Sequence, residues 1–197
     1  MLDEDTEPII IDFGSGHLKA GFAGDDAPKC YVPTIVGKPK SASAMVGMEY
    51  KDHYYGEEAI SKRDKLIITE PIRRGIVEDF ELLEKIMKDQ IINTELRIDP
   101  IEHKFLLSEP PLNPKKNRED LVTMMFEVFE VPKLYIGNQS VMSLFATGKT
   151  TGTVLDIGEG ITHAVPIYEG YAIPHAIQTV DLCGNDITSY LHKILMN

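Results

Sequence analysis

The sequence of 197 residues has few of the features of secreted, membrane or nucleic-acid-binding proteins. Its two cysteines, Cys30 and Cys183, lie far apart and outside any Cys-x-x-Cys pair, so neither a disulfide framework nor a zinc site is supported. Its apolar runs, such as residues 9–11, are far shorter than the roughly 18 to 20 residues that cross a bilayer. Its N-terminus is acidic where a signal peptide is basic. We therefore expect a protein of the reducing cytosol or nucleus that does not contact membranes.

Positive charge is also scarce, because 20 lysines and arginines oppose 31 aspartates and glutamates, for a formal net charge of −11. Direct binding of nucleic acid is not expected, since affinity for phosphate backbones depends on lysine and arginine displacing counterions. The expected partners are basic proteins or metal-bound nucleotides. The six histidines show no metal-ligand spacing, so ordinary surface or hydrogen-bonded roles are the default for each.

The chain does contain enough apolar residues, 43%, to bury a core in one large or two small domains. Strand patterns alternate with helical periodicity, which predicts helices from about 79, from about 113 to 129 and at 139–147, with strands at 104–107 and 134–136. Asp79 and Asn113 are the predicted N-caps of the first two helices, and Gly148 follows the end of the third. Such alternation is typical of an α/β layer fold. Residues 33–70, with scattered glycines and two apolar methionines, predict a small loop-rich insertion.

One motif, Asp-x-Gly-x-Gly, occurs twice, each time after an apolar strand, beginning at Asp12 and at Asp156. A second extended segment follows each copy, so each predicts a β-hairpin and the pair indicates an internal duplication. Alternate glycines let backbone N–H groups approach an anion, and an aspartate at a strand end can hold the waters of Mg²⁺. A single copy would more often be an ordinary turn, but two matched copies favour a clamp for a nucleotide's phosphates. Spacing alone leaves a sugar kinase, a chaperone ATPase and a filament protein open.

The residues around the first turn, Gly14 to Lys29, are similar to the opening hairpin of actin. Further blocks resemble actin segments in actin's order, at residues 45–48, 61–63, 75–77, 112–114, 117–119, 150–152 and 166–177. The resemblance covers essentially all 197 residues. It implies the α/β actin-like ATPase fold, in which a ribonuclease H-like sheet with flanking helices forms each of two lobes around a nucleotide cleft.

The resemblance also implies how the chain is divided. Residues 1–32 and 71–147 correspond to the outer core subdomain of the first lobe, residues 33–70 to a small insertion with a mobile loop, and residues 148–197 to the beginning of the second lobe. Only the first lobe and the start of the second are therefore expected. The sequence is expected to be a fragment of a longer protein or a short paralogue that depends on a neighbour.

The resemblance implies that the protein, when complete, binds ATP or ADP with Mg²⁺ or Ca²⁺. The residues carried over for the phosphates are Gly14, Ser15, Gly16, Lys19, Gly158, Glu159 and Gly160. Asp12 and Asp156 correspond to carboxylates that hold the metal through water, and Gln139 and His163 to residues that order the attacking water. Considered without the resemblance, Gln139 would be a polar residue at a helix start and His163 an exposed strand position.

Subunit contacts are implied at two places. Met45 and Met48 match the mobile loop that docks into the next subunit, although on their own they could equally fill a local gap. The groove that receives this loop and actin-binding proteins is matched by Phe145, Gly148, Thr150 and Tyr171. The expected function is a cytoplasmic cytoskeletal protein that forms or caps filaments. The alternative is a non-polymerising subunit of a fixed chromatin-remodelling, motor-adaptor or axonemal assembly, for which a nuclear location is possible.

Several residues depart from the actin pattern. Phe13 replaces a small polar residue in the first turn, while Ile157 and Glu159 replace a serine and an aspartate in the second. Arg74 stands where actins have a histidine. These changes predict weak ATP hydrolysis at most, although phosphate binding through backbone N–H groups is compatible with them.

Overall fold

A computed structural model describes residues 6–41 and 51–196 of the chain. Its strands are β1 (Ile9–Phe13), β2 (His17–Phe22), β3 (Cys30–Pro33), β4 (Val36–Pro39), β5 (Tyr54–Tyr55), β6 (Leu66–Thr69), β7 (Ile72–Arg73), β8 (Ile76–Val77), β9 (Lys104–Glu109), β10 (Lys133–Asn138), β11 (Gly152–Ile157), β12 (Thr162–Tyr168), β13 (Tyr171–Ala172) and β14 (Gln178–Val180). Its α-helices are α1 (Gly56–Ser61), α2 (Phe80–Lys85), α3 (Lys115–Thr123), α4 (Gln139–Ala146) and α5 (Gly184–Leu195), with short 3₁₀ turns at Arg63–Lys65, Pro100–Glu102 and Pro174–Ala176.

The largest sheet has five strands in the order β10-β9-β1-β2-β3. The predicted first hairpin is confirmed, since β1 and β2 pair antiparallel, whereas β9 runs parallel to both β1 and β10. Ile9, Ile11 and Leu107 are fully buried, as expected for central strands covered by helices. Because parallel strands end at the same edge, the residues that follow β1, β9 and β10 are brought together there. This mixed sheet with flanking helices confirms the predicted α/β class.

Two helices change their winding partway along. Asp79 caps α2 as predicted, because its carboxylate accepts a hydrogen bond from the backbone N–H of Leu82 at 2.9 Å. The chain then continues as a π-helix over Ile86–Leu96, and α3 likewise continues over Met124–Val128. Spacings of three and four residues predict an α-helix throughout. The buried residues of this segment, Ile86, Met87, Ile91, Ile92 and Leu96, are spaced four and five positions apart, which suits the wider turn of a helix with i→i+5 hydrogen bonds.

The start of α3 differs from the sequence prediction by one residue. Pro114 occupies the N-cap position, without a side-chain hydrogen bond to the helix. Asn113 was expected to cap this helix, but its side-chain amide donates instead to the Glu109 carboxylate at 3.1 Å. Arg118 pairs with the same carboxylate, so the end of β9 and the start of α3 are tied together.

The described residues between β3 and β7, at 34–41 and 51–71, contain more regular structure than the predicted loop-rich insertion. They carry a three-stranded sheet in the order β5-β4-β6 and the helix α1. Tyr54, Ala59 and Leu66 form a buried cluster in this segment, separate from the main core. Met45 and Met48 lie outside the described residues. The division of the chain at residues 33 and 70 stays a prediction.

The second predicted hairpin is also confirmed, because β11 and β12 pair antiparallel, with Asp156 opposite His163. β13 and β14 both pair with the other edge of β12, which leaves β11 at the edge of this sheet. α4 packs on the hairpin through Leu144 and the buried residues Val165 and Ile167. On α5 the apolar side chains of Ile187, Leu191 and Ile194 are each more than half exposed.

Both cysteines are free and buried. Burial, and then the negative charge of Glu95, raise the pKa of the Cys30 thiol to about 11. A thiol with so little thiolate is a poor nucleophile, so Cys30 acts as a small apolar core residue. Each helix in the described parts of the chain is too short or too polar to cross a lipid bilayer.

Candidate functional site

The turns of the two hairpins face each other across a cleft of about 620 Å³. Its lining includes every residue that the sequence assigned to phosphate, metal or water: Asp12, Gly14, Ser15, Gly16, Lys19, Gln139, Asp156, Gly158, Glu159, Gly160 and His163. The fold therefore brings together residues from opposite ends of the chain. Their individual roles in binding and hydrolysis stay predictions.

The two turns approach closely at Ser15 and Gly160. The Ser15 hydroxyl oxygen accepts a hydrogen bond from the backbone N–H of Gly75 at 2.8 Å, which ties the first turn to the hairpin of β7 and β8. A Cβ atom added to Gly160 would lie 2.5 Å from that same oxygen, and one added to Gly14 would lie 2.5 Å from the His17 carbonyl oxygen. Glycine is therefore required at both positions by the close approach of neighbouring atoms.

The Asp12 carboxylate is held by a network at the ends of the parallel strands. Its Oδ1 accepts hydrogen bonds from Ser108 Oγ at 2.5 Å and Gln139 Nε2 at 3.3 Å, and its Oδ2 accepts one from Lys19 Nζ at 3.1 Å. Ser108 Oγ also accepts from the backbone N–H of Phe13 at 2.9 Å. Sequence reasoning missed Ser108. Its place at the carboxyl end of a strand predicted to lie in the sheet was the signal that could have identified it.

Gln139 reaches the cleft from the first turn of α4. Its Nε2 donates to the Phe13 carbonyl oxygen at 3.1 Å and to Ser108 Oγ at 3.1 Å, besides Asp12. Within residues 6–41 and 51–196, its amide oxygen Oε1 receives no hydrogen bond. The amide is thus oriented so that its oxygen, an acceptor, remains available to a water or ligand.

Asn138 fixes the start of that helix. Its Oδ1 accepts hydrogen bonds from the backbone N–H groups of Ser140 at 3.0 Å and Val141 at 3.3 Å. An N-cap of this kind satisfies helix donors that would otherwise lack partners.

We expect Asn138→Ala to lower the free energy of unfolding by about 1 kcal/mol, because both capping bonds are lost. Urea denaturation followed by circular dichroism measures this change. The matched control is Asn93→Ala, at an exposed helical position, which should change stability by less than about 0.5 kcal/mol. Equal stabilities of the two variants would contradict the capping role.

His163 lies in the middle strand β12, and only 4% of its surface is exposed. The interpretation of this residue as an exposed strand position is therefore wrong, because β11 and β14 pair on either side of β12 and place Asp156 and Thr179 beside its side chain. Its Nδ1 lies 3.1 Å from the Thr179 hydroxyl oxygen, and its buried Nε2 has no hydrogen-bond partner among the described residues. Burial lowers the pKa of His163, although the nearby Asp156 carboxylate acts in the opposite direction. Burial thus favours the neutral form of the imidazole.

The side chain of Glu159 reaches across to the first turn. A Cβ atom added to Gly16 would lie 1.5 Å from Glu159 Oε2, so the carboxylate rests directly on the Gly16 backbone. The same oxygen is 3.8 Å from His17 Nδ1, and the His17 ring stacks on Tyr31 with 4.3 Å between ring centroids. The Glu159 side chain is 54% exposed, so it has room to move into solvent. In the position described, it places negative charge between the two turns.

We expect Glu159→Gln to tighten ATP binding by roughly three- to tenfold, because it removes a like charge from the phosphate side of the cleft. Titration with a fluorescent ATP analogue at low salt measures the affinity. Glu169→Gln, on the turn between β12 and β13, removes one charge outside the cleft lining and should leave the affinity unchanged. A variant Glu159→Gln that binds no more tightly than Glu169→Gln would refute the explanation.

Two departures from the actin pattern have structural explanations. The side chain of Phe13 is only 3% exposed and belongs to the main core, so this residue contributes only its backbone to the network around Asp12. Ile157 is 62% exposed and lies outside the cleft lining, because alternate residues of β11 face opposite sides. The expectation that Ile157 alters the chemistry of the second turn is thus not supported by its position, and Glu159 is the departure that faces the cleft.

Arg74 forms an ion pair beside the cleft. Its guanidinium lies 3.2 Å from the Asp181 carboxylate, in the connection between β14 and α5. The backbone of Arg74 has φ 47°, a left-handed conformation that is uncommon for a residue with a side chain. Both side chains are more than half exposed, so this pair positions two segments but adds little stability.

The four described residues expected to contact partners lie away from the cleft, around the end of α4. Tyr171 is 79% exposed and Phe145 is 50% exposed. The backbone N–H of Gly170 donates to the Thr150 carbonyl oxygen at 2.7 Å, which joins the loop after α4 to the turn before Tyr171. We name the exposed surface formed by Phe145, Gly148, Thr150 and Tyr171 the α4 surface.

The cleft is suited to a nucleotide with a hydrated divalent cation. The described residues contain no group of three or more side chains that could enclose a metal ion directly. Asp12 and Asp156 instead provide one carboxylate from each hairpin, and a small ion such as Mg²⁺ keeps most of its waters and binds through few carboxylates. The closely approaching glycines and the unpartnered Nε2 of His163 also suit an anionic ligand and a water.

Comparison with known families agrees with this geometry. Proteins of the actin family generally bind a nucleotide together with a divalent cation, and they are typically cytoskeletal. A sequence model of that family, described as Actin, matches residues 3–197. Because the match spans almost the whole sequence, the chain belongs to the actin family.

Proposed function

We propose that this chain is an actin-like structural subunit that holds ATP or ADP, with Mg²⁺ or Ca²⁺, between its two hairpin turns. The observation that carries the proposal is the facing pair of Asp-x-Gly-x-Gly turns, which come from opposite ends of the chain and line one cleft. Two such turns supply backbone donors from both sides of a phosphate group, which a single turn does not.

The residues of the two turns divide the binding between them. The backbone N–H groups around Gly14 to Gly16, and those of Glu159 and Gly160, are the donors for phosphate oxygens, because the N–H of Gly158 already donates to the Ile161 carbonyl oxygen at 3.0 Å. Lys19 adds a positive charge close to Asp12. Asp12 and Asp156 would hold the waters of the cation, which would supply positive charge beside the phosphates when bound.

Gln139 and His163 present acceptors rather than donors on the same side of the cleft. The two N–H groups of the Gln139 amide are shared among three acceptors, which leaves Oε1 for a water. A neutral His163 offers Nε2. Two acceptors orient a water by receiving its two hydrogens, so its oxygen lone pair faces away from them. We propose that these residues order the attacking water, and that hydrolysis is weak because the longer Glu159 side chain occupies the second turn.

The α4 surface supports a role in assembly. Exposed aromatic residues such as Tyr171 and Phe145 are enriched at protein interfaces. We propose that this surface contacts a neighbouring actin-like subunit or an actin-binding protein in the cytoplasmic cytoskeleton, together with Met45 and Met48. The carboxylate of Glu159 favours a second candidate, a non-polymerising subunit of a fixed cytoplasmic or nuclear assembly. Such a subunit does not need to turn over its nucleotide.

Two measurements on the purified protein test the proposal. Titration with a fluorescent ATP analogue should give saturable binding that is abolished by EDTA, and absence of binding at millimolar nucleotide would overturn the nucleotide role. Sedimentation after addition of salt and Mg²⁺ separates the two candidates. Pelleting that is lost in Tyr171→Ala but kept in Tyr135→Ala supports a filament, since Tyr135 is an exposed tyrosine outside the α4 surface. A wild-type protein that stays in the supernatant supports the fixed assembly.

A further inference from the structure

His163 is placed between two polar neighbours on adjacent strands. In the pairing of β12 with β11 it lies opposite Asp156, and in the pairing of β12 with β14 it lies opposite Thr179. Residues directly opposite one another in neighbouring strands project to the same face of the sheet. The Thr179 hydroxyl oxygen lies 3.1 Å from Nδ1 of His163, which leaves the other ring nitrogen, Nε2, free of this contact.

A neutral imidazole has one N–H and one lone pair, so the partner of one nitrogen decides what the other nitrogen presents. If the Thr179 hydroxyl donated to Nδ1, Nε2 would carry the N–H and could not accept a hydrogen bond from the water that the proposed function places beside it. If Nδ1–H donates to the hydroxyl oxygen, Nε2 keeps its lone pair, which can accept a hydrogen bond from a water in the cleft.

We propose that Thr179 is a positioning residue for His163: its Oγ1 accepts a hydrogen bond from Nδ1–H and so fixes the tautomer whose Nε2 lone pair is available to the cleft. This inference rests on the proposed function, in which His163 orders a water. Thr179 lies behind His163 and outside the cleft lining, so it acts through the imidazole and does not contact the ligand.

Substitutions at Thr179 can change its hydroxyl group without altering the packing of the core. Thr179 is exposed, so exchanging its hydroxyl for a methyl group leaves the core unchanged. Thr179→Val keeps the size and β-branching of the side chain but removes the acceptor, whereas Thr179→Ser keeps the acceptor. Thr153→Val makes the same exchange at an exposed position of β11 and is the matched control.

The deciding measurement is the ¹H–¹⁵N correlation spectrum of the histidine rings in the nucleotide-free protein, labelled with ¹⁵N-histidine and recorded at pH 8. Signals of His163 are assigned by their loss in His163→Gln. We expect protonated Nδ1 and unprotonated Nε2 in the wild type, Thr179→Ser and Thr153→Val, and a mixture of tautomers in Thr179→Val. The same tautomer in all four proteins overturns the inference, as does a wild-type ring protonated on Nε2.

A second readout separates this inference from the proposed function. In single-turnover hydrolysis of ATP, Thr179→Val should be slower by at least about tenfold, since losing the partner that fixes a catalytic histidine's tautomer lowers turnover strongly. Its affinity for ATP should equal that of the wild type, and Thr179→Ser should restore the rate. If Thr179→Val alters the tautomer but hydrolyses ATP at the wild-type rate, the proposed role of His163 is wrong, while the control of the tautomer by Thr179 stands.

Discussion

Replacing Gly160 by alanine should lower the affinity for ATP by roughly 10- to 100-fold while the protein stays folded. The added methyl group would lie 2.5 Å from Ser15 Oγ and 2.7 Å from Ser15 Cβ, both closer than real contacts allow. Because Ser15 is held by its hydrogen bond to Gly75, it does not move aside readily, and the added methyl group should push the two turns apart. Overpacking of this kind typically costs about 1 to 3 kcal/mol of free energy. We expect this cost to appear as weaker binding of ATP, because ATP needs both turns in place.

Gly184→Ala is the matched control for that experiment. A Cβ atom at this position, at the start of α5, would lie 3.5 Å from the Gly158 carbonyl oxygen and 3.6 Å from Glu159 Cα, which are ordinary contacts. Titration with a fluorescent ATP analogue and thermal melting are run on both variants. Equal affinities of the two variants would show that the close approach of the turns is not required for binding.

Replacing Gln139 by alanine should slow single-turnover hydrolysis by about 100-fold, because a misplaced attacking group loses much of the benefit of orientation. The affinity for ATP should change by less than about threefold, since binding relies on the backbone of the turns. The variant also removes one of the hydrogen bonds to Asp12, but those from Ser108 and Lys19 remain.

Ser143→Ala provides the comparison for Gln139. Ser143 lines the same cleft, and its hydroxyl donates only to the backbone carbonyl of Gln139 at 2.9 Å. This variant should hydrolyse ATP at the wild-type rate. If Gln139→Ala matches it, the Gln139 side chain serves only to support Asp12, and the attacking water is ordered by other groups.

The hairpins and the cleft could be predicted from sequence because their signals are local. Each Asp-x-Gly-x-Gly turn follows its own apolar strand, and the duplication indicates that two matching turns serve one ligand. The cap at Asp79 and the end of α4 before Gly148 were predictable for the same reason, since both depend on neighbouring residues.

What could not be predicted depends on which strands become neighbours. The burial of His163 follows from the pairing of β14 with β12, and the contact of Ser108 with Asp12 follows from the parallel pairing of β9 with β1. Neither pairing has a signal in nearby residues. The π-helix at 86–96 was missed for another reason, because its buried residues include pairs four positions apart, which an α-helix also places on one face.

The hydrogen bonds that build the cleft have a consequence for how the protein folds. Ser15 and Gly75 are 60 positions apart, Asp12 and Ser108 are 96 apart, and Asp12 and Gln139 are 127 apart. Contacts of such long range form late, since a large loop must close before each one contributes any stability. The hairpins and helices can thus form while the cleft is still absent. Nucleotide added during refolding should therefore leave the early phases unchanged and bind only in the last one, where it reports that folding is complete.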